Sequence, residues 1–119
     1  MFTVLLVEDS VVDAQRITDC LSRQGAAVFG AGSSEEAQLR LMQQRPDLIV
    51  LDIVLPGQSG FEFCRRLKEN PNTRSIPVVM YTSRDNVLDR QWGLMNGADD
   101  YITKPVSEIT LIQAISKFI

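Results

Sequence analysis

Several polar side chains directly follow short apolar runs in this chain, and their types suit phosphate or metal chemistry. They are Glu8 and Asp9 after residues 3–7, Asp52 after residues 48–51, and Thr82 and Ser83 after residues 78–81. Parallel strands of an open α/β sheet end along one edge, where ligands bind in such sheets. If the runs are such strands, these side chains share one pocket although they lie far apart in the sequence.

The acidic members of this set predict a site for a divalent cation. Glu8, Asp9 and Asp52 would bring three carboxylates together, and two unit charges about 4 Å apart repel by about 4 kcal/mol at an effective dielectric constant of about 20. A bound cation removes this repulsion. Because the cluster offers oxygen ligands without His or Cys, it favours Mg²⁺, with Mn²⁺ as the second candidate.

The same pocket has the parts that phosphoryl transfer needs. Asp52 is a candidate acceptor because aspartates form acyl phosphates. The Thr82 hydroxyl and the Lys104 ammonium are suited to neutralise phosphate oxygens. Taken singly, an acidic pair after a strand is an ordinary helix N-cap region and an aspartate at a strand end is an ordinary turn residue. Their order along successive strand ends favours the functional interpretation.

Apolar runs alternate with helical spacing about five times along the chain, which predicts a βα repeat. The predicted strands cover residues 3–7, 27–31, 48–51, 78–81 and 101–102, and the predicted helices cover about 11–23, 34–44, 61–69 and 86–95 and a last segment after Pro105. Right-handed crossovers would fold these units into an α/β, flavodoxin-like, doubly wound parallel sheet with strand order 2-1-3-4-5. We expect one domain over residues 1–119.

Two predicted helices carry apolar faces. The face of the last helix comprises Leu111, Ile112, Ile115, Phe118 and Ile119, and Ile109 widens it. The preceding helix has a seam formed by Leu88, Trp92 and Met95. Core packing is the main interpretation of Trp92, and contact with a partner is the alternative.

Composition narrows the function classes. The net charge is −3 with scattered Lys and Arg, which argues against direct binding of nucleic acid, and no apolar stretch approaches the length of a membrane span. We therefore expect a cytoplasmic protein. The absence of His excludes His-based triads and most zinc sites. Cys20 and Cys64 lack CxxC spacing, which predicts two reduced, half-buried thiols.

Four segments carry a resemblance that runs from end to end of the chain: LLVEDS, LIVLDIVLPGQSGFEF, IPVVMYTS and GADDYITKP. On these segments the chain resembles the receiver domain of two-component response regulators. The resemblance implies that Asp52 accepts a phosphoryl group from a partner histidine kinase or phosphotransfer protein. It also implies that Asp9, Asp52 and the Val54 carbonyl ligate Mg²⁺ directly, with help from Glu8.

The resemblance assigns further roles around the phosphate. Lys104 contacts the phosphate, ahead of a cis peptide to Pro105, and Thr82 and Tyr101 form a switch pair in which the ring follows the hydroxyl inward. A simple core aromatic is the alternative for Tyr101. Val54 and Arg84 border the path of hydrolytic water, and we expect these two side chains to shield the acyl phosphate. The phosphate-contacting and switch residues of the resemblance are thus Thr82, Tyr101, Lys104 and Pro105, and those that tune phosphate lifetime are Val54 and Arg84.

Output is expected to pass through surface docking, because the chain ends with the fifth predicted helix. In the resembling domains the face of the fourth helix, fifth strand and fifth helix changes with phosphorylation, and Trp92 and Ile109 lie in or beside it. A downstream protein target or a phosphorylation-dependent dimer would use this face. The segment DRQWGLMNGADDYITKP is most similar to single-domain regulators of pilus-based twitching motility and chemotaxis.

Other functions stay open from the residues alone. A phosphate sink and a phosphorylation-independent docking module use the same fold without an output switch. A metal-dependent phosphatase with Asp52 as nucleophile is disfavoured, because the segment Asp52-Ile53-Val54 lacks a second acid to protonate the leaving group. Beyond self-phosphorylation and autodephosphorylation, no enzymatic activity is expected. Flavin binding lacks a Gly, Ser and Thr phosphate loop after the first strand.

Overall fold

Uniformly buried apolar runs form a parallel sheet in the computed structural model, which describes residues 1–118. The strands of this part of the chain are β1 (Thr3–Val7), β2 (Ala27–Ala31), β3 (Leu48–Leu51), β4 (Val78–Thr82) and β5 (Asp100–Thr103). All pairs are parallel and the strand order is β2-β1-β3-β4-β5. Every residue of β3 and β4 is buried, as expected for central strands covered on both faces. The predicted flavodoxin-like α/β architecture is confirmed.

Helices follow each strand at positions set by capping residues. They are α1 (Val11–Arg23), α2 (Ser34–Gln43), α3 (Gly60–Glu69), α4 (Val87–Met95) and α5 (Glu108–Ser116). A Ser or Asn side chain at each N-cap accepts a hydrogen bond from a backbone N–H in the first turn; the caps are Ser10, Ser33, Ser59, Asn86 and Ser107. Within residues 1–118, each helix is too short or too polar to traverse a lipid bilayer.

The predicted element bounds differ from the structure mainly at the last strand. Residues 101–102 were expected to form it, whereas β5 covers Asp100–Thr103 because pairing with β4 extends from Val79 opposite Asp100 to Thr82 opposite Thr103. Ile119, predicted to join the apolar face of the last helix, lies outside the described residues.

Two apolar layers hold the sheet between the helices. On one face, α2 and α3 contribute Ala37, Phe63, Cys64 and Leu67 to the core. On the other face, α1 and α5 contribute Ile17, Cys20, Leu21, Leu111, Ala114 and Ile115. Both cysteines are free and buried, so the prediction of half-buried thiols is wrong. Burial raises the pKa of the Cys64 thiol to about 11.

The predicted core role of the α4 seam is also wrong. Leu88 and Met95 are 75% and 76% exposed and Trp92 is 51% exposed, whereas the buried residue of Val87–Met95 is Gly93. A β-carbon at Gly93 would lie 2.8 Å from the Met80 sulfur and 2.9 Å from the Tyr101 ring, so the helix approaches the sheet through its backbone. Similarly, Ile109 is 69% exposed and does not widen the buried face of α5.

Gly60 provides a stability test at the first turn of α3. A β-carbon there would lie 2.2 Å from the backbone oxygen of Asp52 and 2.7 Å from the Ile53 Cα, so Gly60→Ala must displace the loop after β3. We expect the free energy of unfolding to fall by about 1–3 kcal/mol in urea denaturation. Gly32→Ala is the control, because the nearest atom there is a Glu36 carboxylate oxygen at 3.8 Å. Equal losses for the two variants would contradict this account.

Candidate phosphoryl and metal site

Three acidic side chains meet where β1 and β3 end. Val7 lies opposite Leu51 in the sheet, so the residues that follow these strands are neighbours. One carboxylate oxygen from each of Glu8, Asp9 and Asp52 lies within 4.8 Å of the others. Glu8 and Asp52 are buried and Asp9 is exposed. The structure therefore brings together the three carboxylates that the sequence predicted as one cluster.

Lys104 reaches this cluster from the end of β5. Its backbone N–H donates to the Thr82 carbonyl at 2.7 Å, which continues the pairing of β5 with β4. The ammonium Nζ lies 3.0 Å from an Asp52 oxygen and also donates to Glu8. The peptide between Lys104 and Pro105 is cis, as the resemblance implies. A positively charged hydrogen-bond donor thus lies beside the candidate phosphoacceptor, Asp52.

Asp13 also contacts Lys104, although it was not among the residues predicted from the sequence. Its Oδ2 lies 3.0 Å from the Lys104 ammonium. Asp13 lies in the first turn of α1, where its backbone N–H donates to the Ser10 hydroxyl at 3.3 Å. An acid three residues after a capping serine beside the predicted pocket was the available sequence signal.

Burial and charge shift the pKa values of this cluster in defined directions. The pKa of Glu8 is raised to about 7, chiefly by burial; the Lys104 hydrogen bond opposes this rise and the nearby Asp52 adds to it. Burial alone would lower the pKa of Lys104, but the hydrogen bonds that its ammonium donates to Glu8, Asp13 and Asp52 outweigh burial and raise that pKa. Lys104 therefore stays charged while Glu8 titrates near neutrality.

The cluster fits a hard divalent cation. Its donors are carboxylate oxygens, which Mg²⁺ prefers, and two of the three acids are buried where mutual repulsion is poorly screened. One ammonium neutralises one of these charges. Asp9, Asp52, Glu8 and the Val54 carbonyl are the groups that would hold the ion. Phosphate oxygens and water would complete the coordination of the ion.

The loop after β3 holds Asp52 through its backbone. The Val54 N–H donates to Asp52 Oδ1 at 3.2 Å, and the Gly60 N–H donates to the Ile53 carbonyl at 3.0 Å. The Ile53 side chain is buried and anchors the loop, whereas the Val54 side chain is 53% exposed. The exposed Val54 side chain therefore lies next to Asp52.

Thr82, Arg84 and Tyr101 are connected at the end of β4. Thr82 and Tyr101 are buried, and the Tyr101 hydroxyl donates to the backbone carbonyl of Arg84. The Arg84 N–H donates to the Thr82 hydroxyl at 3.4 Å. The Arg84 guanidinium makes hydrogen bonds of 3.0 and 3.2 Å with Asp89 in α4. Its charged group is therefore bound to α4.

The two residues predicted for a partner face lie on different helices. Trp92 borders a groove that Phe61 and Arg65 of α3 also line. Ile109 lies near the start of α5. Both side chains are exposed, which keeps the partner interpretation of Trp92 open after its core interpretation has failed.

Comparison with known proteins gives one family. The sequence model of the family described as the response regulator receiver domain matches residues 4–116 of this chain. Protein PilH of Pseudomonas aeruginosa is 37% identical over 98% of this chain and 96% of its own length. The chain also matches transcriptional regulatory proteins, of which it spans 46% to 49%.

Solved structures agree with this family. Chemotaxis protein CheY4 of Vibrio cholerae superimposes with a TM-score of 0.92 at 28% identity, over 100% of this chain and 99% of CheY4. The receiver domain of the sensor histidine kinase PA1611 of Pseudomonas aeruginosa, described with a magnesium ion coordinated in its active-site cleft, gives a TM-score of 0.89 at 28% identity. Those alignments cover 98% of this chain and 96% of that domain. The chain thus belongs to the receiver domain family of two-component response regulators.

Proposed function

We propose that this receiver accepts a phosphoryl group on Asp52 from a phosphohistidine of a partner kinase or phosphotransfer protein. The observation that carries the proposal is the convergence of Asp52, two further acids and Lys104 at one sheet edge. A receiver needs an acceptor, a counter-charge for the phosphoryl oxygens and a metal site. The described side chains supply groups suited to each.

The proposed transfer forms one bond and breaks one. An Asp52 carboxylate oxygen bonds to phosphorus while the phosphorus–nitrogen bond of the phosphohistidine breaks, and the imidazole nitrogen keeps the electron pair. The Lys104 ammonium and the Thr82 hydroxyl donate hydrogen bonds to phosphoryl oxygens. Mg²⁺, or Mn²⁺ as the alternative, would neutralise charge when held by Asp9, Asp52 and the Val54 carbonyl with help from Glu8. The magnesium in the PA1611 receiver supports this assignment.

Signalling would follow from a population shift rather than from new chemistry. Tyr101 is tied to the loop after Thr82 through Arg84 and to α4 through Arg90, whose guanidinium donates to the Tyr101 carbonyl at 3.1 Å and lies 5.1 Å from the ring centroid. A phosphoryl group that binds the Thr82 hydroxyl favours the arrangement in which Tyr101 makes its contacts with both Arg84 and Arg90. Phosphate on Asp52 would thereby bias α4.

The proposed output is contact with a protein target through α4, β5 and α5. Apolar side chains stand exposed there, including Leu88, Trp92 and Ile109. A phosphorylation-dependent dimer would use the same face. The similarity to chemotaxis protein CheY4 supports a role in chemotaxis, and the resemblance of the segment DRQWGLMNGADDYITKP to regulators of twitching motility extends it to motility. The free cysteines favour the reducing cytoplasm.

Acetyl phosphate with Mg²⁺ tests the acceptor. We expect intact mass spectrometry to show one added phosphoryl group on the wild type and none on Asp52→Asn, because the amide cannot form the acyl phosphate. Asp19→Asn, which alters an acid that pairs with Gln15 on α1, should gain mass like the wild type. A mass gain that persists in Asp52→Asn would assign the acceptor elsewhere.

The raised pKa of Glu8 predicts a pH-dependent stability of the metal-free protein. Burial raises the pKa of Glu8 in the folded protein from its ordinary value of 4.5 to about 7. Between these values the folded state binds more protons than the unfolded state, so the free energy of unfolding falls as pH rises through this interval.

Urea denaturation with EDTA at about pH 5 and about pH 8 checks this sign. Glu8→Gln should lose less stability than the wild type over this interval, because its side chain does not titrate. Glu62→Gln, which alters an exposed acid on α3, is the control. Equal slopes for the wild type and Glu8→Gln would show that Glu8 titrates normally.

Phosphate lifetime tests the proposed shielding role of Arg84. Arg84→Ala removes the long side chain and its bond to Asp89, so water should reach the acyl phosphate more easily and dephosphorylation should become several-fold faster. Arg40→Ala removes a similarly exposed arginine and its looser 3.8 Å ion pair with Glu36 on α2, and it should leave the rate unchanged. The rate is followed by intact mass after removal of acetyl phosphate. An unchanged lifetime in Arg84→Ala would refute the shielding role.

A further inference from the structure

Lys104 has all of its hydrogen-bond donors engaged by carboxylates. An ammonium group has three N–H donors, and the Lys104 ammonium contacts Glu8, Asp52 and Asp13, the last two at 3.0 Å each. Its side chain is only 14% exposed, so little of it is open to solvent. Any new acceptor for Lys104 must therefore displace one of them.

The three acceptors are not equivalent. Glu8 and Asp52 belong to the acidic cluster with Asp9, whereas Asp13 lies outside that cluster. If the cluster held a divalent cation, the oxygens of Glu8 and Asp52 that accept from Lys104 would be drawn to the ion. The carboxylate of Asp13 would stay available. Asp13 is thus the one acceptor of this set that can keep Lys104 when the cluster is loaded.

Backbone contacts on either side of the pair keep Asp13 and Lys104 next to each other. The Ser10 hydroxyl caps α1 and accepts from the Asp13 N–H, which fixes the first turn of the helix. One turn further, the Arg16 guanidinium donates to the carbonyl of Val106 at 2.7 Å. Val106 follows Lys104 and Pro105 in the chain, so α1 is bonded to the segment that carries Lys104. The contact between Asp13 and Lys104 is therefore supported on both sides.

We propose that Asp13 is a positioning residue for phosphoryl transfer, acting through Lys104. Asp13 keeps its hydrogen bond with one N–H of the Lys104 ammonium. The other two N–H groups turn from Glu8 and Asp52 to the phosphoryl oxygens. Without this anchor the flexible lysine stem must be ordered during the reaction itself, at a cost in side-chain entropy. The role rests on the function proposed above and adds an α1 residue to it.

The first test observes the contact without metal or phosphate. In the metal-free protein, NMR of the Lys104 ammonium should show a protected signal, because three acceptors slow its hydrogen exchange. Asp13→Ala should broaden or shift this signal, and Asp13→Glu should restore part of it. Asp19→Asn should leave it unchanged. A Lys104 signal that is identical in Asp13→Ala and the wild type would overturn the proposal.

The second test measures the rate of phosphorylation by acetyl phosphate and Mg²⁺. Asp13→Ala should slow it several-fold, with part of the loss recovered in Asp13→Glu and none seen in Asp19→Asn. Urea denaturation of each variant separates loss of folding from loss of rate. An Asp13→Ala rate equal to that of the wild type would contradict a positioning role.

A double-mutant cycle with Lys104→Met separates an effect through Lys104 from a direct one. If Asp13 acts through Lys104, Asp13→Ala should cause no further loss in the Lys104→Met background. An equal loss in both backgrounds would overturn the proposal. If the wild type itself accepts no phosphoryl group, the proposed function fails, and the Lys104 ammonium signal still decides whether Asp13 holds the lysine.

Discussion

Charge opposition at the carboxyl edge of the sheet is the constraint on which the rest of this molecule depends. Two buried acids, Glu8 and Asp52, lie close enough to repel, and Lys104 lies between them with its charge retained. In a buried setting such a group of charges is tolerated only when each has partners, since removal of one leaves the others uncompensated. The strand order is what makes the group form. It puts β1 beside β3 and carries Lys104 in from β5, which pairs with β4.

Much of this arrangement could be predicted from the sequence because it follows from the ends of buried strands. The central strands are uninterrupted apolar runs, so both their location and the residues that follow them were evident, and parallel pairing placed Glu8, Asp9, Asp52 and Lys104 at one edge. The contact of Asp13 with Lys104 was not predictable in this way. It depends on the direction of a side chain in the first turn of α1, which neither strand order nor hydrophobic period specifies.

The failure of the α4 prediction has a different physical cause. Leu88, Trp92 and Met95 have helical spacing, which normally indicates a buried stripe. In this fold α4 meets the sheet at Gly93, where Met80 and the Tyr101 ring already fill the space that larger side chains would need. The apolar residues then remain on the outside. Periodicity identifies an apolar face, but it does not say whether a large side chain or a glycine makes the contact with the sheet.

The contact at Gly93 also bears on how firmly α4 is held. A helix that packs through large side chains is aligned by their close packing with the neighbouring layer, and a glycine offers no side chain for this. The alignment of α4 along the sheet is therefore specified largely by polar contacts, namely those of Arg84 with Asp89 and of Arg90 with Tyr101. The Arg84–Asp89 pair is partly exposed, and ions in solution screen such pairs. The attachment of this helix is thus partly ionic, and its strength depends on the salt concentration around the protein.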